Sequence, residues 1–184
     1  EQSGHIADVG FDLYVRLVGE AVAEFKGDGA EELSEVRIEL PVDAHLPHDY
    51  IGSERLRLEI YKRLAEVRSD EDVDAIEEEL KDRYGDLPIV VVSLLLVARF
   101  RARARAAGIG EVTIAGKNVR SPPVSRVVRL QRMYRKSLVK PQTDTILVPR
   151  PQTAVIGGKP LDGIALLEWA KGVIDQVIDP PAAS

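Results

Sequence analysis

Residues 88–108, PIVVVSLLLVARFRARARAAG, decide the character of the fold. The first half of this stretch is apolar on nearly every side, as in a helix enclosed by other elements, and its second half is basic. The valine run would also suit a buried strand. The length of the stretch and the proline at its start favour a helix, because proline is well tolerated in the first helical turn. The sequence therefore predicts a buried central helix that begins at Pro88.

Further helices and short strands are predicted on both sides of this segment. Ser53, Ser69 and Asp162 each precede a run with helical apolar spacing, as N-cap residues do, and Asp72 completes a capping box with Ser69. The helices are predicted at residues 8–25, 53–67, 69–84 and 162–178, and the strands at 36–40, 111–116, 125–131 and 144–151, with 138–144 as the near side of a hairpin. Together they predict an α/β (α+β) fold, with a small mixed or antiparallel sheet packed with about five helices around the buried central one.

Glycines at 27 and 29 follow the first predicted helix and mark a domain boundary. We expect residues 1–27 to form a connector helix and residues 28–179 to form the domain proper. The proline-rich residues 180–184 are expected to be disordered.

Composition and motifs argue against catalysis. The chain has no cysteine, which excludes disulfides, zinc thiolates and cysteine nucleophiles. It contains no phosphate-binding GxxxxGK[ST] or GxGxxG motif, and VIGGKP at 155–160 is predicted to be a hairpin turn. His45 and His48 lie near two aspartates, but a polar loop is favoured over a metal site. We expect no catalytic, cofactor-binding or metal-binding residues.

We expect no signal peptide, and the sequence has no uncharged apolar run long enough to cross a membrane. The absence of cysteine fits a reducing compartment. We therefore expect a soluble, cytoplasmic and monomeric domain with no membrane partner.

The net charge of −5 conceals two oppositely charged segments. Residues 66–86 hold ten acids and three bases, whereas residues 99–140 hold twelve bases and one acid. The basic block could bind nucleic-acid phosphates through the alternating arginines of the long helix. The favoured interpretation is that these arginines neutralise the protein's own acidic helix. The arginines concerned are Arg99, Arg101, Arg103 and Arg105.

The acidic helix also predicts a compact surface of mixed charge at its carboxyl end. At helical spacing Glu79, Asp82 and Arg83 lie on one flank, away from the apolar stripe, and Asp86 extends that flank. Acids at the carboxyl end of a helix oppose its dipole, so their placement invites a partner explanation. A surface ion pair between Asp82 and the neighbours of Arg83 is the simpler alternative.

Five linked motifs resemble the C-terminal region of the bacterial transcription-repair coupling factor family. They are EQSGHIADVGFDLY (1–14), LPVDAHLPHDYI (40–51), RLRLEIYKRL (55–64), ELKDRYGDLP (79–88) and RARARAAGI (101–109). The resemblance implies that residues 1–27 follow an ATP-driven DNA translocase motor. ATP and magnesium would belong to that motor, and this fragment would need no cofactor.

The resemblance also implies a regulatory clamp. In the family, the C-terminal domain packs on an N-terminal module similar to UvrB, masks the surface that UvrA would bind, and restrains the motor until stalled RNA polymerase is engaged. UvrA and the polymerase would thus be indirect partners, and DNA would be reached through the motor. The family contact surface carries over to Glu79, Asp82 and Arg83. One alternative is a nucleic-acid-binding module that uses the basic block at 99–140, and another is a folded spacer that only tethers the motor.

Overall fold

The computed structural model describes residues 36–109, 111–115, 118–121, 138–140 and 145–178 of the 184-residue chain. The predicted helix at 8–25 and the predicted strand at 125–131 lie outside these residues. The described helices are α1 (Glu54–Glu66), α2 (Asp70–Tyr84), α3 (Ile89–Ala106) and α4 (Gly163–Ile178), and the described strands are β1 (Arg37–Glu39), β2 (Glu111–Ala115), β3 (Asn118–Ser121), β4 (Leu138–Lys140) and β5 (Thr145–Pro149). The prediction of a mixed α/β fold is confirmed.

The described chain divides into two compact units. The first comprises residues 43–102, and the second comprises residues 36–42 together with 103–178.

Local capping defines the helices of the first unit. The Ser53 hydroxyl accepts a hydrogen bond from the Leu56 amide at the start of α1. At the start of α2 the Asp72 amide donates to the Ser69 hydroxyl at 3.3 Å, and the Ser69 amide donates to the Asp72 carboxylate at 3.2 Å. The predicted capping box is therefore present. It satisfies amide groups that have no partner inside the helix.

The core of the first unit consists of the apolar faces of its helices. Residues 89–106 of this stretch form a helix rather than a strand, as predicted, and only Ile89 among the large apolar residues at the start of α3 is strongly exposed. The fully buried side chains include Tyr61, Leu64, Val73, Leu80, Val91, Leu94 and Phe100. Burying each large side chain of this kind contributes about 1.5–3 kcal/mol.

The loop before α1 is anchored in this core. Leu46 and Ile51 are buried, and the backbone of each is held by a side chain from α1. The Leu46 amide donates to the Tyr61 hydroxyl at 2.7 Å, and Arg57 donates to the Ile51 carbonyl at 2.6 Å. The segment LPVDAHLPHDYI (40–51), which links β1 to α1 along the chain, is therefore a loop held in a defined conformation.

Among the described residues, the second unit contains a mixed sheet of five strands in the order β1-β2-β3-β5-β4. β1 pairs with β2 in parallel, with Ile38 opposite Val112, and the other three pairings are antiparallel. The predicted pairing of 138–140 with the strand at 144–151 is confirmed. β3 was not predicted, because Val119 is the only large apolar side chain in NVRS.

α4 begins directly after Asp162, as the N-cap pattern predicts. Leu166, Leu167, Ala170 and Ile174 are buried, and their spacing forms one apolar face. The Gly163 amide donates to the Pro41 carbonyl at 3.0 Å, which joins the start of α4 to the segment after β1. In the part of the chain that the structure describes, no helix is long and apolar enough to cross a membrane.

Candidate interaction surface

The predicted mixed-charge surface lies at the carboxyl end of α2 and is accessible to solvent. We call Glu79, Asp82, Arg83 and Asp86 the terminal patch. Asp82, Arg83 and Asp86 are exposed, and the Glu79 side chain is 30% exposed. Another protein surface can therefore reach all four side chains, as contact requires. Their part in binding remains a prediction.

Glu79 bridges two arginines. One carboxylate oxygen lies 2.7 Å from Arg63 on α1, and the other lies 3.0 Å from Arg83 one turn further along α2. The hydrogen bond from Arg63 is the largest cause of a lowered Glu79 pKa, and Arg83 acts in the same direction. Charge–charge contact and hydrogen bonding both favour the ionised carboxylate. The bridge holds both guanidinium groups at the edge of the patch.

Sequence reasoning missed Arg63. Spacing within a helix identifies the Glu79–Arg83 pair, which is separated by four residues. The Arg63–Glu79 pair joins two different helices, and its formation depends on how α1 packs against α2. No local pattern in the sequence signals it.

The acids of the patch differ in their surroundings. Among the described residues neither Asp82 nor Asp86 forms an ion pair, so both carboxylates remain available to an outside cation. Arg83 also lies over the ring of Tyr84, 5.2 Å from its centroid. The terminal patch therefore contains one arginine, Arg83, that contacts of its own helix hold in place. It also contains two carboxylates, Asp82 and Asp86, that form no ion pair with a described residue.

Tyr50 fixes the end of the helix that carries the patch. Its hydroxyl lies 3.2 Å from the Leu80 carbonyl and 3.1 Å from the Gly85 carbonyl, and it donates to these acceptors. Gly85 has a φ of +82°, where L side chains are strained, and its amide donates to the Lys81 carbonyl. Partial burial raises the pKa of Tyr50, and the negative charge of Asp86 raises it further. The phenol therefore keeps the proton that it donates in these hydrogen bonds.

The basic end of α3 is engaged within the protein. Arg99 is 15% exposed and donates to the carboxylates of Asp74 and Glu77 on α2 and to the Asp70 carbonyl. This is the internal neutralisation of the acidic helix that the charge pattern of the sequence favoured.

The other three arginines of the alternating series occupy varied environments. Arg101 is buried, Arg103 pairs with Asp175 on α4 at 2.8 Å, and Arg105 is half-buried. The structure thus does not present the four arginines as one exposed basic face.

The histidine loop shows a simple pair. His45 lies 2.9 Å from Asp43, and within the described ranges no group of three or more histidine, aspartate or glutamate side chains is placed to hold a metal ion.

Comparison with known proteins gives one consistent family. Residues 40–124 match the family model of the TRCF domain. The chain is 46% identical to the transcription-repair-coupling factor of Mycobacterium tuberculosis over 98% of its own length, and 34% identical to that of Staphylococcus epidermidis over 74%. It spans only 16% and 12% of the lengths of these two relatives.

A solved structure shares the fold. The crystal structure of a C-terminal domain of transcription-repair coupling factor matches with a TM-score of 0.60 and 19% identity. The match covers 78% of this chain and 91% of the other.

Proposed function

Since the chain belongs to the transcription-repair-coupling factor family, we propose that it is a non-catalytic regulatory domain of such a factor, acting in transcription-coupled DNA repair. In this proposal the domain is a cytoplasmic clamp. It packs on the N-terminal UvrB-like module of the same protein, masks the surface that UvrA binds, and restrains the ATP-driven translocase until stalled RNA polymerase is engaged.

The accessible terminal patch is the observation that supports the clamp most directly. A clamp of this kind needs charged groups that are held in place before binding, because fixing them beforehand reduces the entropy lost on contact. Glu79 holds Arg83 at 3.0 Å, and Tyr50 holds the end of α2. Asp82 and Asp86 are exposed beside them.

The energies of such contacts suit a releasable interface. Each exposed ion pair contributes roughly 0–1 kcal/mol, so a few pairs give a contact that a competing partner can displace. A ligand shifts such an equilibrium only by its difference in affinity for the two states, and a few kcal/mol is enough.

A triple substitution in the full-length coupling factor tests this function. We expect Glu79→Ala, Asp82→Ala and Arg83→Ala together to raise both UvrA binding and basal ATPase, because the clamp opens. The matched control substitutes three exposed charges on α1, Arg55→Ala, Lys62→Ala and Glu66→Ala, and should change neither quantity.

Circular dichroism of the isolated triple variant should show a folded domain, because Asp82 and Arg83 are exposed and loss of the Glu79 bridge costs only about 1 kcal/mol. If the folded triple variant binds UvrA and hydrolyses ATP like the parent protein, the terminal patch is not the clamp.

A further inference from the structure

A hairpin between β5 and α4 is held by its own backbone. We call residues 152–160 the hairpin. Gln152 pairs with Pro160 as an antiparallel bridge, and the Thr153 amide donates to the Lys159 carbonyl at 2.9 Å. The Lys159 amide donates in return to the Thr153 hydroxyl at 3.1 Å. The conformation is thus fixed on both sides of the turn.

Two glycines shape its tip. Gly157 has a φ of +71°, a conformation that L side chains rarely adopt. A Cβ atom on Gly158 would collide with the backbone of Ala154. The backbone conformation of the turn is therefore fixed, and it determines which side chains are exposed at the tip.

The side chains that it presents are apolar. Val155 is 99% exposed and Ile156 is 92% exposed, the two largest values among the exposed large hydrophobic residues of the described chain. Turn positions normally hold glycine, proline, asparagine, aspartate or serine, whereas β-branched residues favour strands. A lone exposed apolar residue is ordinary, but two adjacent ones at the end of a braced hairpin indicate an insertion contact.

The size of the contact restricts the partner. Two side chains cover far less than the roughly 1,600 Å² that a stable complex of separate proteins typically buries. A contact this small is effective only where the partner is already tethered, because the tether supplies a high local concentration. The chain spans 16% of the length of its Mycobacterium tuberculosis relative, so such a protein has a large tethered remainder.

We propose that Val155 and Ile156 insert into an apolar pocket on the part of the parent coupling factor that lies outside this chain. The exposed Lys159 at the base of the hairpin suits a pocket with an acidic rim. This inference rests on family membership but uses no residue of the terminal patch, so it can fail while the clamp proposal holds.

Photo-crosslinking in the full-length coupling factor tests the proposal. A benzophenone amino acid replaces Val155, and a control protein carries it at Glu168, which is exposed on α4. We expect the probe at 155 to give an intramolecular crosslink to residues outside this chain and the probe at 168 to give none there.

A serine pair supplies the second measurement. In the full-length factor, where the partner stays tethered, Val155→Ser with Ile156→Ser should speed amide hydrogen exchange of the hairpin at least about tenfold, whereas Ala154→Ser should not. Crosslinks only between copies of the protein would show self-association and overturn the proposal. No crosslink at 155, or unchanged hydrogen exchange of the hairpin in the serine pair, would also overturn it.

Discussion

Glu79 serves the fold and the proposed interface at once. Both of its carboxylate oxygens are used, one by Arg63 and one by Arg83. Removing this side chain would leave two guanidinium groups without their shared anion and free to move. Part of the effect of Glu79→Ala on the proposed interface would therefore arise because Arg63 and Arg83 are no longer held in place.

The bridge predicts a pH-dependent contribution to stability. The folded-state pKa of Glu79 lies below its ordinary value of 4.5, so the unfolded state takes up the proton first as pH falls. Stability from the bridge is therefore present above the unfolded-state pKa and is lost as pH falls through the folded-state pKa.

Urea unfolding of the parent chain and Glu79→Gln measures this contribution. We expect a difference of about 1 kcal/mol near pH 7 that shrinks below about pH 4.5 and disappears at lower pH. Glu66→Gln, an exposed change on α1, serves as the control. If the difference in unfolding free energy between the parent chain and Glu79→Gln does not change with pH, the ionised Glu79 bridge is not its cause.

At the scale of elements, one arginine joins α3 to the first half of α2. Arg99 reaches two carboxylates and one carbonyl on α2, and its side chain is largely shielded from water. Removing Arg99 is costly because the Asp74 and Glu77 carboxylates would stay close together. Of these two, only Glu77 has another ion-pair partner among the described residues, Lys81 at 2.6 Å. The acidic helix is thus only partly a solvated face.

Arg99→Ala should lower the free energy of unfolding by about 2–4 kcal/mol. The measurement is urea denaturation followed by circular dichroism, with Arg55→Ala as the control for loss of an exposed arginine. Arg99→Lys should recover part of the loss, since lysine keeps the charge but not the forked donor geometry. A loss within about 0.5 kcal/mol of the control would show that the network contributes little.

At the scale of the whole molecule, charge separates the two candidate functions. The chain carries a net charge of −5, and Arg99 and Arg103 are paired with acids of the protein itself. Phosphate binding would require these groups to give up their partners. The described arginines therefore favour the regulatory domain over the nucleic-acid-binding alternative.

Gel-shift titration of the chain with duplex DNA checks this preference. At physiological salt we expect a Kd weaker than about 10 µM, in the range of non-specific binding. Binding that is submicromolar and falls steeply between low and high salt would instead support a nucleic-acid module. Ionic strength is the deciding variable, because counterion release dominates phosphate recognition.

The sequence by itself determined the helix boundaries in the first unit. The Ser69–Asp72 capping box, the helix start beside Pro88 and the stop at Gly85 all depend on groups within a few residues of one another. Short-range hydrogen bonds and fixed backbone angles need no knowledge of the rest of the chain. The mixed charge of the terminal patch follows from the same helical spacing.

Tertiary structure alone decided which charges pair between different helices. Arg63 meets Glu79, and Arg99 meets Asp74 and Glu77, only because separate helices pack together. β3 likewise becomes a strand through pairing with β2 and β5, despite its weak local preference. The contacts between helices and the pairing of β3 with β5 join residues far apart in the chain, and their energy depends on packing geometry that no local pattern encodes.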